Sequence, residues 1–414
     1  MYYDNSDKII VIGGGASGMM AAAVAAAEGK KVVLLEKNNA LGEKLKITGG
    51  GRCNITNNER DLRNFLENYG RAREFLFSPF AQFGVQDTFD YFESRALNLV
   101  VQARNRVFPK TEKAWDVYKT LEKELQKQHV TIKSNIKVTK INTEKGRIVS
   151  VQTSQGIFEG KSFILATGGV SHPETGSTGD GFKWLRELGH TVKDPTPTIV
   201  PIATSDDWSH LLAGVSLTFM KITFFLDGKK QFSKTGKVLF THFGLSSPLI
   251  LNSAAAVGEL LMNGEVTAQI DAFPETDLRA LDQKIVHIFD TNKNKLFKTV
   301  FPDLVPQGTA KGIQLLLSDI NFETPVHSIT KDQRKKLVHL LKALPVNITG
   351  LMGNDRAVSA DGGVILEEVD MKTMRSKKYD NLYIVGDLLH INRPSGGYSL
   401  QLCWTTGFIA GKNA

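Results

Sequence analysis

Residues 8–37, KIIVIGGGASGMMAAAVAAAEGKKVVLLEK, constrain this chain more tightly than any other stretch. An apolar run at 9–12 ends in Gly13, Gly15 and Gly18 at G-x-G-x-x-G spacing, an Ala-rich segment reaches Glu28, and a second apolar run at 32–35 ends in Glu36. The pattern predicts a strand, a helix and a parallel strand closed by an acid. Glycines so spaced let a pyrophosphate approach the backbone at a helix N-terminus, where unpaired N–H groups and the helix dipole favour negative charge. Glu36 is then placed to accept hydrogen bonds from an adenosine ribose. A carboxylate there, rather than an arginine, favours an unphosphorylated ribose, as in FAD or NAD.

A chain of 414 residues with 41% hydrophobic content can bury a large core divided over two or three domains. No apolar run approaches the roughly 20 residues that span a bilayer, and the opening MYYDNSDK lacks the basic-then-apolar plan of a signal peptide. The expectation is a cytoplasmic protein without membrane contact. Its two cysteines, Cys53 and Cys403, offer neither a disulfide framework nor metal-ligand spacing, so no metal is expected. The formal charge of +8 favours a polyanionic partner. Basic residues gather at 60–73, 229–237, 293–298, 331–342 and 372–378, although solvated faces scattered over the molecule explain them equally well.

Beyond the opening unit, residues 41–58 (LGEKLKITGGGRCNITNN) read as a long functional loop. Its Gly49, Gly50 and Gly51 let backbone N–H groups lie against a planar ligand or phosphate, with Lys44 and Arg52 to neutralise charge. Residues 71–95 read as two amphipathic helices and 113–128 as a third, followed by a meander from 130 to 166. Ala166, Thr167, Gly168 and Gly169 then end a strand, marking another close backbone approach to a ligand. Pro195, Pro197 and Pro201 suggest a domain boundary. Strands at 217–226, 237–241 and 266–271 imply a small barrel or sheet, interrupted by helical segments at 276–318 and 331–342, the latter opened by a Thr330–Gln333 capping box. A last buried strand, 382–385, stops at Gly386-Asp387, and a charge-poor helix from Tyr398 to Gly411 begins behind Gly396-Gly397. Its positive dipole end could face a developing anion.

The glycine motif with Glu36, the strand-end ATG and the strand-end Gly-Asp occur in the order found in two-dinucleotide-binding-domain flavoproteins. More narrowly, LGEKLKITGGGRCNITN, NRVFPKTEKAWDV, ATGGVSHPETGSTGDG, LFTHFGLSSP and PSGGYSLQ resemble the BaiN-like, aminoacetone-oxidase-like flavoprotein family over nearly the whole chain. That resemblance implies an α/β fold: a Rossmann-like FAD-binding domain built from residues 1–197 and 356–414. A β-barrel domain, 198–274 and 326–355, interrupts it and carries a helical insert at 275–325. By matching position it implies FAD contacts from Gly13, Gly15, Gly18, Glu36, Lys37, Lys44, Thr48, Gly49, Gly50, Gly51, Arg52, Cys53 and Asn54. Val138, Ala166, Thr167, Gly168, Gly386, Asp387, Gly397, Tyr398, Ser399 and Leu400 complete the set. The sequence departs from the family pattern at His172, Ser247, Asp387, His390 and Arg393-Pro394.

A flavin performs hydride chemistry itself, so the protein need supply orientation, a proton source and shielding. Cys53 in the glycine loop could protonate a substrate carbon, or could simply fill space. His242 is the next proton-transfer candidate, or a structural hydrogen-bonder. Arg106 could bind an anionic substrate, or serve an ordinary salt bridge. No second G-x-G-x-x-G follows a strand, so NADH or NADPH would have to dock transiently. Three readings stay open: an NAD(P)H-fed reductase forming dihydrouridine in ribosomal RNA, bound through the basic surface; an oxidase of small aminoacetone-type amines releasing peroxide; and a flavin-binding interaction protein without turnover. The oligomeric state is left open.

Overall fold

Three short apolar runs, Ile9–Ile12, Val32–Leu35 and Ser162–Leu165, are buried along their whole lengths. That is the pattern of parallel strands covered on both faces. They form the centre of a seven-stranded sheet ordered 369–370, 375–376, 382–384, 162–165, 9–12, 32–35, 131–133. The pairings from Leu382–Ile384 to Thr131–Lys133 are parallel, and two antiparallel pairings finish the other edge. The structure, a computed structural model, describes residues 2–3, 7–353 and 359–414. The chain divides into one unit of residues 1–196 with 358–414 and a second of residues 197–357. The expected boundary at 355/356 lies outside the described residues.

In the first unit, helix Ala16–Ala27 is built almost entirely of small side chains and packs on the closing helix Tyr398–Asn413. The backbones come so near that a Cβ at Gly407 would lie 2.5 Å from the Ser17 carbonyl oxygen. A meander, Val138–Glu144, Arg147–Thr153 and Gly156–Glu159, joins the opening unit to Ser162–Leu165. The loop expected over 41–58 is more ordered than its composition suggested. Residues Glu43–Gly51 start as a helix anchored by buried Leu45, then break where Thr48 turns extended and Gly49 and Gly50 turn left-handed. Strand Thr56–Asn57 follows, in a three-stranded sheet with Leu99–Gln102 and Arg106–Pro109.

The second unit is a closed six-stranded antiparallel barrel ordered 202–204, 244–246, 229–241, 216–226, 266–271, 344–351. Closure leaves no open strand edge. Ile222, Phe224, Phe240 and Ile270 are fully buried in its core. Strand Lys229–Thr241 starts eight residues before the expected 237, because exposed Lys, Gln and Thr side chains hide its alternation from a hydrophobicity reading. The helices over 278–342 include Leu278–Thr291 and Lys331–Lys342. The latter carries its capping box: Gln333 N donates to Thr330 Oγ1 at 3.2 Å, and Thr330 N to Gln333 Oε1 at 3.0 Å. The rest of the expected helical span, 297–315, is short turns of helix.

Candidate functional site

The parallel register puts four strand ends in one line. Ile12 pairs with both Leu35 and Leu165, and Leu165 with Ile384. The segments leaving these strands, 13–15, 36–38, 166–168 and 385–387, therefore emerge side by side at the carboxyl edge of the sheet. Open α/β sheets bind ligands in that position.

Within this edge the glycines differ in what surrounds them. Gly13 has φ +104°, and a Cβ there would lie 2.5 Å from the Ala166 oxygen; at Gly18 a Cβ would lie 1.9 Å from the Gly13 oxygen. Both are closed by backbone. Gly15 faces space: nothing lies within 4 Å of a Cβ built on it, and as N-cap of helix Ala16–Ala27 it leaves that helix without a side-chain cap. An uncapped, uncovered helix N-terminus suits a phosphate.

Glu36 is 8% exposed, and its two carboxylate oxygens accept backbone N–H groups from Gly14 at 2.7 Å and Asn38 at 2.8 Å. These charge-assisted bonds fix the side chain, and each oxygen keeps a lone pair for a further donor. Ile136 N donates to the Glu36 carbonyl, which brings the start of strand Val138–Glu144 to this end of the site. Lys37 is engaged with Thr178 Oγ1 at 2.6 Å and Asp180 at 2.9 Å.

At the other end sits Asp387. Arg393, only 4% exposed, binds its Oδ1 and also donates to Ser399 Oγ at 3.1 Å and the Ile391 carbonyl at 2.7 Å. Lys44 Nζ lies 3.7 Å from Asp387 Oδ2 and donates to Ser171 Oγ at 3.0 Å. Burial pushes the Asp387 carboxyl up, but Arg393 and Lys44 outweigh it and hold the group below its ordinary value. Arg393 thus ties the strand end at Asp387 to Ser399 in the first turn of the closing helix, whose N-cap is Gly397. Tyr398 hands its carbonyl to the Tyr69 hydroxyl at 2.8 Å, and Leu400 is buried.

Between these ends lies the glycine loop. Gly50 and Gly51 have nothing within 4 Å of a built Cβ, whereas Gly49 approaches Asn54 N at 3.2 Å. Thr48 Oγ1 donates to the Leu45 carbonyl at 2.7 Å. Asn54 Oδ1 and Arg52 Nε are buried without a hydrogen-bond partner. Orphaned polar atoms beside open glycines mark a surface shaped for a polar ligand.

The three expected catalytic residues are divided between the two units, Cys53 and Arg106 in the first and His242 in the second. Cys53 is fully buried, adopts φ +58°, and its thiol is pushed up to about 12 by burial, with a Thr48 hydrogen bond opposing. Of the two readings of Cys53, its full burial accords with the space-filling one. His242 belongs to the second unit, exposed between strands Lys229–Thr241 and Gly244–Ser246. Arg106 stays at the site edge, half-buried on strand Arg106–Pro109. The Arg52 guanidinium lies over Phe108, 4.2 Å from the ring centroid, and donates to Gln102 at 2.8 Å. Two residues absent from the expected set belong to this constellation, Arg393 and Arg104. The unusual Arg393-Pro394 pair and Asp387 were each visible in the sequence, but their pairing was not.

A family model for the HI0933-like protein Rossmann domain matches residues 7–413. The 3-dehydro-bile acid delta(4,6)-reductase of Clostridium scindens is 31% identical over 392 residues, covering 92% of this chain and 91% of that protein. The ribosomal RNA dihydrouridine synthase of Haemophilus influenzae is 27% identical over 375 residues, covering 89% and 88%. Among solved structures, a flavocytochrome c3 fumarate reductase in its open conformation shares the fold with a TM-score of 0.55 at 17% identity, over 99% of this chain and 78% of that one. A 3-ketosteroid-delta4-(5alpha)-dehydrogenase of Rhodococcus jostii does so with a TM-score of 0.54 at 13% identity, over 99% and 97%. A match that runs through the strand ends, the glycine loop, the barrel and the closing helix places this chain in the HI0933-like Rossmann-domain family.

Proposed function

We propose that this chain is an FAD-dependent oxidoreductase that reduces a carbon–carbon double bond conjugated to a carbonyl group. The observation that carries the reading is the alignment of four parallel strand ends, with open Gly15 at one helix N-terminus, Glu36 beside it and the Asp387–Arg393 pair beyond. These residues fit FAD along its length. The uncapped N-terminus of Ala16–Ala27 would take the pyrophosphate, Glu36 the adenosine ribose and Asp387 the ribityl hydroxyls. Gly50, Gly51 and the unpartnered Asn54 Oδ1 offer a surface for the ring system. When bound, FAD supplies two-electron hydride chemistry that no side chain here can provide.

The choice of reaction is supported by two relatives whose names share one chemistry. A delta(4,6)-reductase acting on a 3-dehydro-bile acid and a synthase of dihydrouridine both saturate ring double bonds. The electrons would come from NADH or NADPH docking transiently, in keeping with a single glycine motif in the chain. Lys44 and Arg393 keep Asp387 ionised at neutral pH, so it presents acceptors rather than a proton to a ligand. With Cys53 buried, the proton reaching the substrate's second carbon would come from water or from a substrate-bound group.

The test is anaerobic turnover of purified, flavin-loaded protein with NADH and NADPH. Two acceptors are offered: a 3-oxo-4,6-unsaturated steroid acid, and ribosomal RNA from cells lacking this gene, scored for dihydrouridine. Saturation of either supports the proposal and identifies the substrate. In a parallel aerobic assay with aminoacetone, peroxide release from a protein that reduced neither double bond anaerobically would overturn it in favour of an amine oxidase.

A further inference from the structure

The hairpin of Leu99–Gln102 and Arg106–Pro109 turns through Ala103–Asn105, and its tip holds two consecutive non-glycine residues in the left-handed region, Arg104 at φ +62° and Asn105 at φ +55°. Such backbone is strained and persists only where surrounding contacts hold it. Here the contacts come from the glycine-rich walls of the site. Asn57 Nδ2 donates to the Arg104 carbonyl and to the Gly396 carbonyl, each at 3.2 Å, and Asn58 N donates to the Asn105 carbonyl at 2.7 Å. The turn is thus pinned beside the Gly396-Gly397 entrance to the closing helix. Phe108 on the same hairpin lies 3.7 Å from where a Gly49 Cβ would be.

This turn gathers three arginines. Arg52 and Arg106 place their guanidinium carbons 4.2 Å and 5.8 Å from the centroid of the Phe108 ring. Among the described residues the Arg106 side chain donates only to the Ala103 carbonyl, at 3.1 Å, and the exposed Arg104 guanidinium has no hydrogen-bond or ion-pair partner. Burial, then the charges of Arg104 and Arg52, press the Arg106 guanidinium below its ordinary value. Among the described residues, the one carboxylate joined to the trio by an ion pair is Glu112, 3.7 Å from Arg52. Three cations and one anion leave an uncompensated positive charge on a pinned, strained turn. A surface salt-bridge network would instead pair its charges, as Lys336 with Asp319 does at 2.7 Å.

We infer that Arg52, Arg104 and Arg106 form an anion-binding site that holds an acidic group of the substrate, a carboxylate or a phosphodiester, at the edge of the glycine-lined cleft. Guanidinium groups match such oxygens two at a time, which fixes direction as well as position. A substrate anchored there by its acidic end can extend past Gly49–Gly51 with its reacting ring. The identity of the anchored molecule as substrate rests on the proposed double-bond reduction. The existence of the anion site does not.

The experiment is equilibrium binding to the flavin-loaded protein of two probes, cholate and a uridine-containing ribosomal RNA hairpin, in the wild type, Arg104→Gln, Arg106→Gln and Arg106→Lys. Arg71→Gln removes an equal charge from an exposed position and serves as the control. Loss of affinity for at least one probe by about tenfold or more in Arg106→Gln, partial recovery in Arg106→Lys, and an unchanged flavin spectrum are expected. Weakening confined to cholate assigns a carboxylate, and weakening confined to the hairpin assigns a phosphodiester. Wild-type protein that binds neither probe, or a loss in Arg71→Gln equal to that in Arg106→Gln, overturns the inference. Because binding is read without turnover, a protein that reduces no double bond can still pass this test.

Discussion

The two units bury different kinds of side chain. In the barrel unit the buried polar residues among those described are hydroxyls: Thr198, Thr204, Ser209, Ser247, Ser253 and Thr309. The sheet unit buries Glu36, Glu124 and Arg393, together with His190. Burying a charge is costly unless it is paired, and a unit needing only a core avoids it, as the barrel does. The sheet unit accepts that cost chiefly at strand ends, where Glu36 and Arg393 flank the space in front of Gly15 and the glycine loop. Buried charge thus marks the strand ends where the proposed ligand would lie, whereas the barrel buries hydroxyls.

If the barrel is stabilised by packing alone, removing a core ring should be the most damaging single change. Phe224, fully buried and stacked on Phe232 at 4.7 Å, should cost about 3–5 kcal/mol as Phe224→Ala in urea unfolding, with a loss that varies little between about pH 7 and pH 5. Arg393→Met should cost about 3 kcal/mol, since it leaves Asp387 without its closest cation. That loss should be relieved by adding Asp387→Asn. Asp387 is held below its ordinary 3.8, so its contribution is complete above that value and disappears as pH falls through the lower folded value. A loss in Arg393→Met that stays constant as pH is lowered from above to well below 3.8 would erase the contrast with Phe224→Ala.

Smaller effects sharpen the same contrast. Burial, opposed by Glu368, holds His190 below its ordinary 6.5, so the unfolded chain binds the proton first and stability declines as pH falls below 6.5. The decline should be less than about 1.4 kcal/mol per pH unit, and His190→Gln should flatten it in chemical unfolding between about pH 7 and pH 5.5. In the barrel unit, Ser247 occupies φ +127°, fastened by its hydroxyl to the Lys237 carbonyl at 2.5 Å. Ser247→Gly should relieve strain and raise stability by about 1 kcal/mol. Gly15→Ala, whose methyl meets nothing, should leave stability within about 0.5 kcal/mol yet lower the flavin retained after purification. A full complement of flavin in that variant would remove Gly15 from the site.

Much of the fold was legible because it depends on short-range pattern. The apolar runs at 9–12, 32–35 and 162–165, the glycine spacing and the Thr330–Gln333 capping box each state their structure within a few residues. Strand Lys229–Thr241 and the helix within 43–51 were less legible, since a half-exposed strand and a glycine-broken helix lack a clear period. The site was legible in part. Glu36 and Asp387 announce themselves as acids at strand ends, but that Glu36 is already held by two N–H groups, and Asp387 by Arg393, follows from register and loop path.

By itself, then, the sequence determined the strand–glycine–helix–strand–acid unit, the identity of the small residues that let backbones touch, and the presence of a second, β-rich unit. Tertiary structure decided which polar groups meet. It buried Cys53 in its loop, set His242 in the other unit and brought Arg52 and Arg106 to one ring, with Arg104 on the adjoining turn. The physical reason is range. Backbone sterics and side-chain period act over a few residues, whereas pairing of charges depends on which distant strands share an edge.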